Sequence, residues 1–134
     1  MKVQKGLKLF GLMLSILATI LFCGFGKSQI SNATPNNKFE KSLEQRLKVI
    51  ISQPSISSNP SDYIKANQKV YNSLVKEGKP ALKYFLKELE LTKDDSLKTW
   101  IMAKVCCDIL GKKNPVTKWS SGKEWFSKYQ AQIK

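Results

Sequence analysis

Leu74-Val75-Lys76-Glu77-Gly78-Lys79-Pro80-Ala81-Leu82 is the stretch whose reading decides the fold. Leu74 and Val75 close one apolar helical stripe. Gly78 suits the left-handed turn that follows a helix, and Pro80 has its φ preset for the first turn of the next one. Leu82, Phe85, Leu86 and Leu89 then recur at i, i+3, i+4 and i+7, the spacing of a single buried face. A connection this short is expected to give an antiparallel helical hairpin.

Upstream, Tyr63, Ile64, Val70 and Tyr71 carry the stripe back to Asn59 as N-cap, with Pro60 at the first helical position and Asp62 near the positive end of the dipole. One continuous helix is expected from Pro60 to the Gly78 turn. Before it, Phe39, Leu43, Leu47, Ile50 and Ile51 predict a helix over about 38–51, ended by Pro54 and the Ser/Asn-rich stretch to Asn59.

Downstream, Asp94 and Asp95 are expected to cap a helix that runs to Leu110 and stops at Gly111. Its apolar residues go almost all the way round, leaving a narrow strip with Lys104 and Asp108, so it belongs at the centre of the domain. Asn114-Pro115 to Trp119 reads as a loop. Ser121-Gly122-Lys123-Glu124 reads as a capping box opening a last helix with Trp125, Phe126 and Tyr129 inward. No β-branched run alternates anywhere. The expected fold is all-α: a bundle of about five helices over residues 38–134, preceded by an N-terminal signal or anchor helix.

That N-terminal segment gives the address. Lys2, Lys5 and Lys8 precede an uncharged run of 18 residues, Leu9 to Gly26. Basic residues followed by an apolar run are read by export machinery, and they hold the amino terminus on the cytoplasmic side. As a helix the run spans roughly 27 Å, just short of a hydrocarbon core of about 30 Å. Three fates remain open for residues 1–26. Cleavage can follow Ala33 or Gly26; the segment can be retained as an anchor; or Cys23 can be lipidated, since Ile20-Leu21-Phe22-Cys23-Gly24 resembles a bacterial lipobox. Residues 27–37 are a polar linker, and Asn32-Ala33-Thr34 satisfies a glycosylation sequon that matters only in a eukaryotic secretory setting. All three fates make the remainder extracytoplasmic, either secreted or held at the outer face of a bacterial cytoplasmic membrane.

The chain carries 23 basic against 10 acidic residues, a formal +13. Setting aside Lys2, Lys5, Lys8 and Lys27 leaves 19 against 10, a net +9. Arg46 is the only arginine. Base reading and bidentate phosphate clamps favour arginine, and the lysines form no dense block, so nucleic acid is not an expected partner. Spaced lysines on helix faces make a solvated surface first, and a surface attracted to anionic envelope polymers or lipid headgroups second.

Histidine is absent, which removes the commonest general base and metal ligand. Cys106 and Cys107 are adjacent, point about 100° apart on a helix, and read as two small buried hydrophobes rather than a metal or redox pair. Glu88-Glu90 and Asp94-Asp95 sit where a helix end and its cap place exposed charge, not where a glycosidase pair works. The serines lie in loops and caps with no imidazole beside them. Trp100, Trp119 and Trp125 are read as core area before they are read as a ligand groove. No catalytic, cofactor or metal residue emerges.

Residues 70–111 are similar to the short bacterial HEAT-like repeat: a helix ending in Gly78, the Pro80-Ala81-Leu82 start, the Asp94-Asp95 turn, Trp100-Ile101-Met102-Ala103, and the Ile109-Leu110-Gly111 close. The resemblance implies paired helices stacked as antiparallel hairpins and the binding of other macromolecules. The closing Trp119-Ser120-Ser121-Gly122-Lys123-Glu124-Trp125 resembles the tail of small exported proteins of Gram-positive bacteria. The expected function is an exported or membrane-tethered, non-enzymatic interaction module. Its partner is expected to be a protein or an envelope component, and its oligomeric state is left open. The alternative is a lysine-rich protein that binds the envelope or membrane surface.

Overall fold

The computed structural model describes residues 35–52 and 57–134, and the compact unit to which they belong spans Ala33–Lys134. The segment 1–26, with Cys23 and the cleavage site at Gly26, lies outside the described residues, as does most of the 27–37 linker with the site at Ala33.

Six α-helices follow one another: α1 Pro35–Ser52, α2 Pro60–Ala66, α3 Gln68–Lys76, α4 Lys79–Leu91, α5 Leu97–Leu110 and α6 Gly122–Ile133. A short 3₁₀ turn, Gly111–Lys113, follows α5. No strand occurs among the described residues, so the all-α expectation holds. Helix α5 is the hub. Every other helix packs against it, and Ile101, Met102, Ala103, Val105 and Cys106 are fully enclosed. Around them sit Leu43, Leu47 and Ile50 of α1, Leu74 of α3, Phe85 and Leu89 of α4, and Trp125 of α6. Each such large side chain contributes roughly 1.5–3 kcal/mol by leaving water.

Four local expectations are corrected. Helix α1 starts at Pro35, inside the stretch read as linker. Its first turn is made of polar residues, and the Asn36 side-chain amide donates to Glu40 Oε1 at 3.2 Å, so no apolar period announces it.

The helix expected from Pro60 to Gly78 is broken at Asn67, which has φ −126° and ψ 35°. Its side-chain amide donates to the Tyr63 carbonyl at 3.1 Å, while its own N–H turns to the Ile64 carbonyl at 3.0 Å. A short amide side chain thus takes the bond that would have continued the helix. Helix α3 then restarts with Tyr71 N–H on the Asn67 carbonyl.

The turn at Gly78 is a corner and not a hairpin. Gly78 sits at φ 65°, a value L side chains rarely adopt, but α3 and α4 share little beyond the turn itself. Both lie on α5, and α3 packs about equally on α1. The consecutive pairs that pack most extensively are α4 with α5 and α5 with α6.

The cap of α5 is Ser96, not Asp94 or Asp95. Ser96 N–H donates to Thr99 Oγ1 at 2.8 Å. The buried Thr99 hydroxyl in turn lies 2.8 Å from the Ser96 carbonyl and 3.2 Å from Asp95 Oδ1. Asp95 also accepts from the Lys123 amide at 3.4 Å, so it serves the first turn of α6. That turn carries its own cap: Ser121 Oγ accepts from Glu124 N–H at 3.2 Å. The reciprocal half goes elsewhere than a capping box predicts, because Glu124 accepts from the amide and hydroxyl of Ser120, at 2.7 and 2.6 Å.

Three polar ties hold the helices in register. Arg46, on α1, donates to the Ser73 carbonyl at 3.1 Å and to Glu77 Oε1 at 2.9 Å across on α3. Glu44 accepts from Tyr84 of α4 at 2.9 Å and from Lys98 of α5 at 3.0 Å. Tyr71 of α3 donates to Asp108 of α5 at 2.6 Å, while Lys104 pairs with the other Asp108 oxygen at 2.5 Å. The Tyr71 phenol is pushed well above its ordinary value by burial, and further by the Asp108 bond. No helix among the described residues is long and apolar enough to cross a membrane.

Candidate binding groove

Helix α4 places three kinds of side chain in a repeating order. Phe85 and Leu89 face the core, Leu82 and Leu86 are half-buried beside them, and Lys79, Lys83 and Lys87 stand exposed. The three lysines follow an i, i+4, i+8 line, so they form one row along the helix. None of them takes part in an ion pair among the described residues. Lys98, Lys104, Lys65 and Lys128 each meet a carboxylate. Other described lysines, Lys41 and Lys69 among them, also stand outside any ion pair, so the row is set apart by its place along an apolar cleft.

Helix α6 lies beside α4 and is fastened to it at one end. The Lys123 ammonium donates to the Leu89 carbonyl at 2.8 Å and to the Thr92 carbonyl, both at the C-terminal end of α4. A cation there also complements the negative end of the α4 dipole. The same ammonium stands 5.9 Å from the centre of the Phe126 ring.

Between the two helices runs a groove of about 410 Å³. Leu82, Leu86, Phe126, Tyr129 and Ile133 supply its apolar surface, and Lys79, Lys83, Lys87, Glu90 and Gln130 edge it. Phe126 at its floor is 8% exposed, whereas Ile133 is 62% exposed. Tyr129 is held by stacking on Trp125, with ring centres 5.1 Å apart and planes 15° from parallel. On the other side of the lysine row a second hollow, of about 470 Å³, is lined by Phe39, Tyr84 and Pro80 together with Lys83 and Lys87.

The residues weighed from sequence fall elsewhere. Cys106 is fully buried, and burial pushes its thiol far up. Cys107 is half-buried, and its thiol is pushed up to about 11, mainly by burial and further by Asp108, against the opposing pull of Lys104. Both thiols are free. So the reading of two buried hydrophobes holds fully for Cys106 and in part for Cys107.

Of the tryptophans, Trp125 alone is core. Trp100 and Trp119 are half-buried and meet at 5.1 Å over a shallow hollow shared with Cys107, Lys104 and Asn114. Glu90, Asp94 and Asp95 are exposed at the end of α4 and in the turn after it, and Glu88 is half-buried. Among the described residues no group of three or more Cys, Asp or Glu is placed to hold a metal ion.

No residue of the groove was singled out from sequence as a site. The signal was present in Lys79, Lys83 and Lys87, whose spacing marks one row. What periodicity does not tell is that α6 folds back alongside, turning the flank of α4 into a cleft.

No protein-family profile matches the chain, and neither the curated proteins nor the solved structures include one similar to it.

Proposed function

We propose that this protein is an exported or membrane-tethered interaction module, without enzymatic activity, that holds a macromolecular partner in the groove between α4 and α6. One observation carries the reading: an apolar cleft edged by three lysines that meet no carboxylate of their own. Cation rows left without counter-charge suit recognition better than stability. The address rests on Lys2, Lys5, Lys8 and the apolar run after them, with Cys23 as the residue for a lipid tether. The packed pairs α4–α5 and α5–α6 support a HEAT-like stacking, with Pro80 opening one helix and Gly111 closing another.

The test is a photo-crosslinking side chain at Ile133, exposed and within the groove, in the native host. The same side chain at Lys112, in the 3₁₀ turn, is the control. A discrete adduct from position 133 and none from 112 is the expected result. Adducts equal at both positions, or none at 133, would overturn it. Intact-mass analysis of the mature chain reports the address: a diacylglyceryl mass on Cys23, a start at Thr34 or Lys27, or the full length.

A second reading, surface adhesion through lysine charge alone, is favoured by the net +9 after Lys27. Salt separates the two. Diffuse adhesion weakens steeply as ionic strength rises, while an apolar groove keeps most of its hold.

A further inference from the structure

We infer that the occupant of the α4–α6 groove is an acidic amphipathic helix of a partner protein. It would lie along α4, with its apolar stripe on Leu82, Leu86 and Ile133 and its carboxylates against Lys79, Lys83 and Lys87. The inference rests on the groove being a binding site, as proposed above.

Shape is the first argument. The groove follows α4, whose 13 residues extend roughly 20 Å at about 1.5 Å each. Helix-in-groove recognition uses this geometry: an apolar stripe at i, i+3, i+4 and i+7 laid into a cleft between two helices.

Charge is the second. Three lysines at four-residue spacing match carboxylates at the same spacing on a facing helix, and Glu90 at the far end is the one acid on the rim.

The remaining occupants fit less well. A flat lipid surface reaches the lysine row but not the floor, where Phe126 is 8% exposed. A second copy of this chain would bring a body of net positive charge onto a row of lysines, and like charges across an interface cost affinity.

The probe is a labelled synthetic helix of about fourteen residues, enough to cover roughly 20 Å. It carries leucines on one face and glutamates on the others, and its twin has lysine for every glutamate. Binding to the full chain is followed by fluorescence anisotropy. The acidic helix is expected to bind at least about tenfold more tightly than its lysine twin. Replacing the row by Lys79→Glu, Lys83→Glu and Lys87→Glu together should reverse that preference. All three side chains are exposed and unpaired, so the fold should survive the change, and the circular dichroism spectrum checks that it does.

Equal binding of the two helices, or binding of neither, overturns the inference. So does loss of vesicle binding (one part phosphatidylglycerol to three of phosphatidylcholine) in the triple variant when the acidic helix does not bind the unmodified chain. Dimerisation that Ile133→Glu abolishes, with the peptide ignored, overturns it as well. The two failures stay distinct: an adduct at Ile133 in cells without binding of the acidic helix leaves the groove standing and removes only this occupant.

Discussion

Gly122 lies so close to the first turn of α5 that a β-carbon built on it would stand 2.3 Å from the Thr99 carbonyl oxygen and 2.8 Å from the Trp100 amide nitrogen. Both obstacles are backbone, so nothing flexible can move aside. Gly122→Ala is expected to destabilise the domain by about 3 kcal/mol or more, at or beyond the upper end of typical overpacking costs. Gly78→Ala meets open space and only the penalty of its positive φ, about 1–3 kcal/mol. Urea unfolding of the two variants ranks them. A Gly122→Ala chain as stable as the parent would contradict this close approach.

Arg46 does work that lysine cannot copy. Its guanidinium donates to Ser42, Ser73 and Glu77 at once, in a planar fork that joins α1 to α3. Arg46→Lys keeps the charge and loses most of those bonds, so a loss of about 1–2 kcal/mol is expected. Glu77→Gln should cost less than about 1 kcal/mol, because the ion pair is partly exposed and the Ser73 carbonyl still accepts. Equal losses in the two variants, read from chemical denaturation, would rule this ordering out.

The first turn of α6 is expected to loosen in acid. Hydrogen bonds from Lys128 and then from Ser120 hold the Glu124 carboxyl down at about 2. A carboxyl held below its unfolded value stabilises the fold above the ordinary glutamate range near 4.3, and that support is lost as pH falls through about 2. The protection factor of the Ser120 amide, its exchange rate corrected for the intrinsic pH dependence of amide exchange, should therefore fall between about pH 4 and 2, and Glu124→Gln should remove that fall. A flat profile in the parent chain would be the contrary result.

Cys107 should be a poor nucleophile despite its partial exposure. With the thiol pushed up to about 11, its thiolate fraction at pH 8 falls about 100-fold below that of an ordinary cysteine. Alkylation by iodoacetamide, read site by site by mass spectrometry, should be slow at Cys107 and slower still at Cys106. Both should label at the normal rate in urea. Rapid labelling of the folded chain at Cys107 would show the thiol to be freer than its surroundings imply.

The helical class was legible because apolar spacing is a one-dimensional signal. Leu82, Phe85, Leu86 and Leu89 mark α4 without help from the rest of the chain, and the all-round apolar α5 marks its own central place. What escaped depends on side chains meeting backbone. Asn67 looks like any polar residue in a helix until its amide takes the Tyr63 carbonyl. Asp95 reads as a cap for the helix that follows it, yet it serves a turn 28 residues further on. The corner at Gly78 escaped for a different reason. Loop length limits how far apart two helices can start, but the third body against which both pack decides the angle between them.

Lys123 has one more consequence. By gripping the carbonyls of Leu89 and Thr92 it rivets the last turn of α4 to the opening turn of α6. A cleft riveted at one end and unfastened at the other behaves as a clothes-peg. The groove proposed above as the binding site is therefore expected to widen most beside Ile133, at the end away from the rivet.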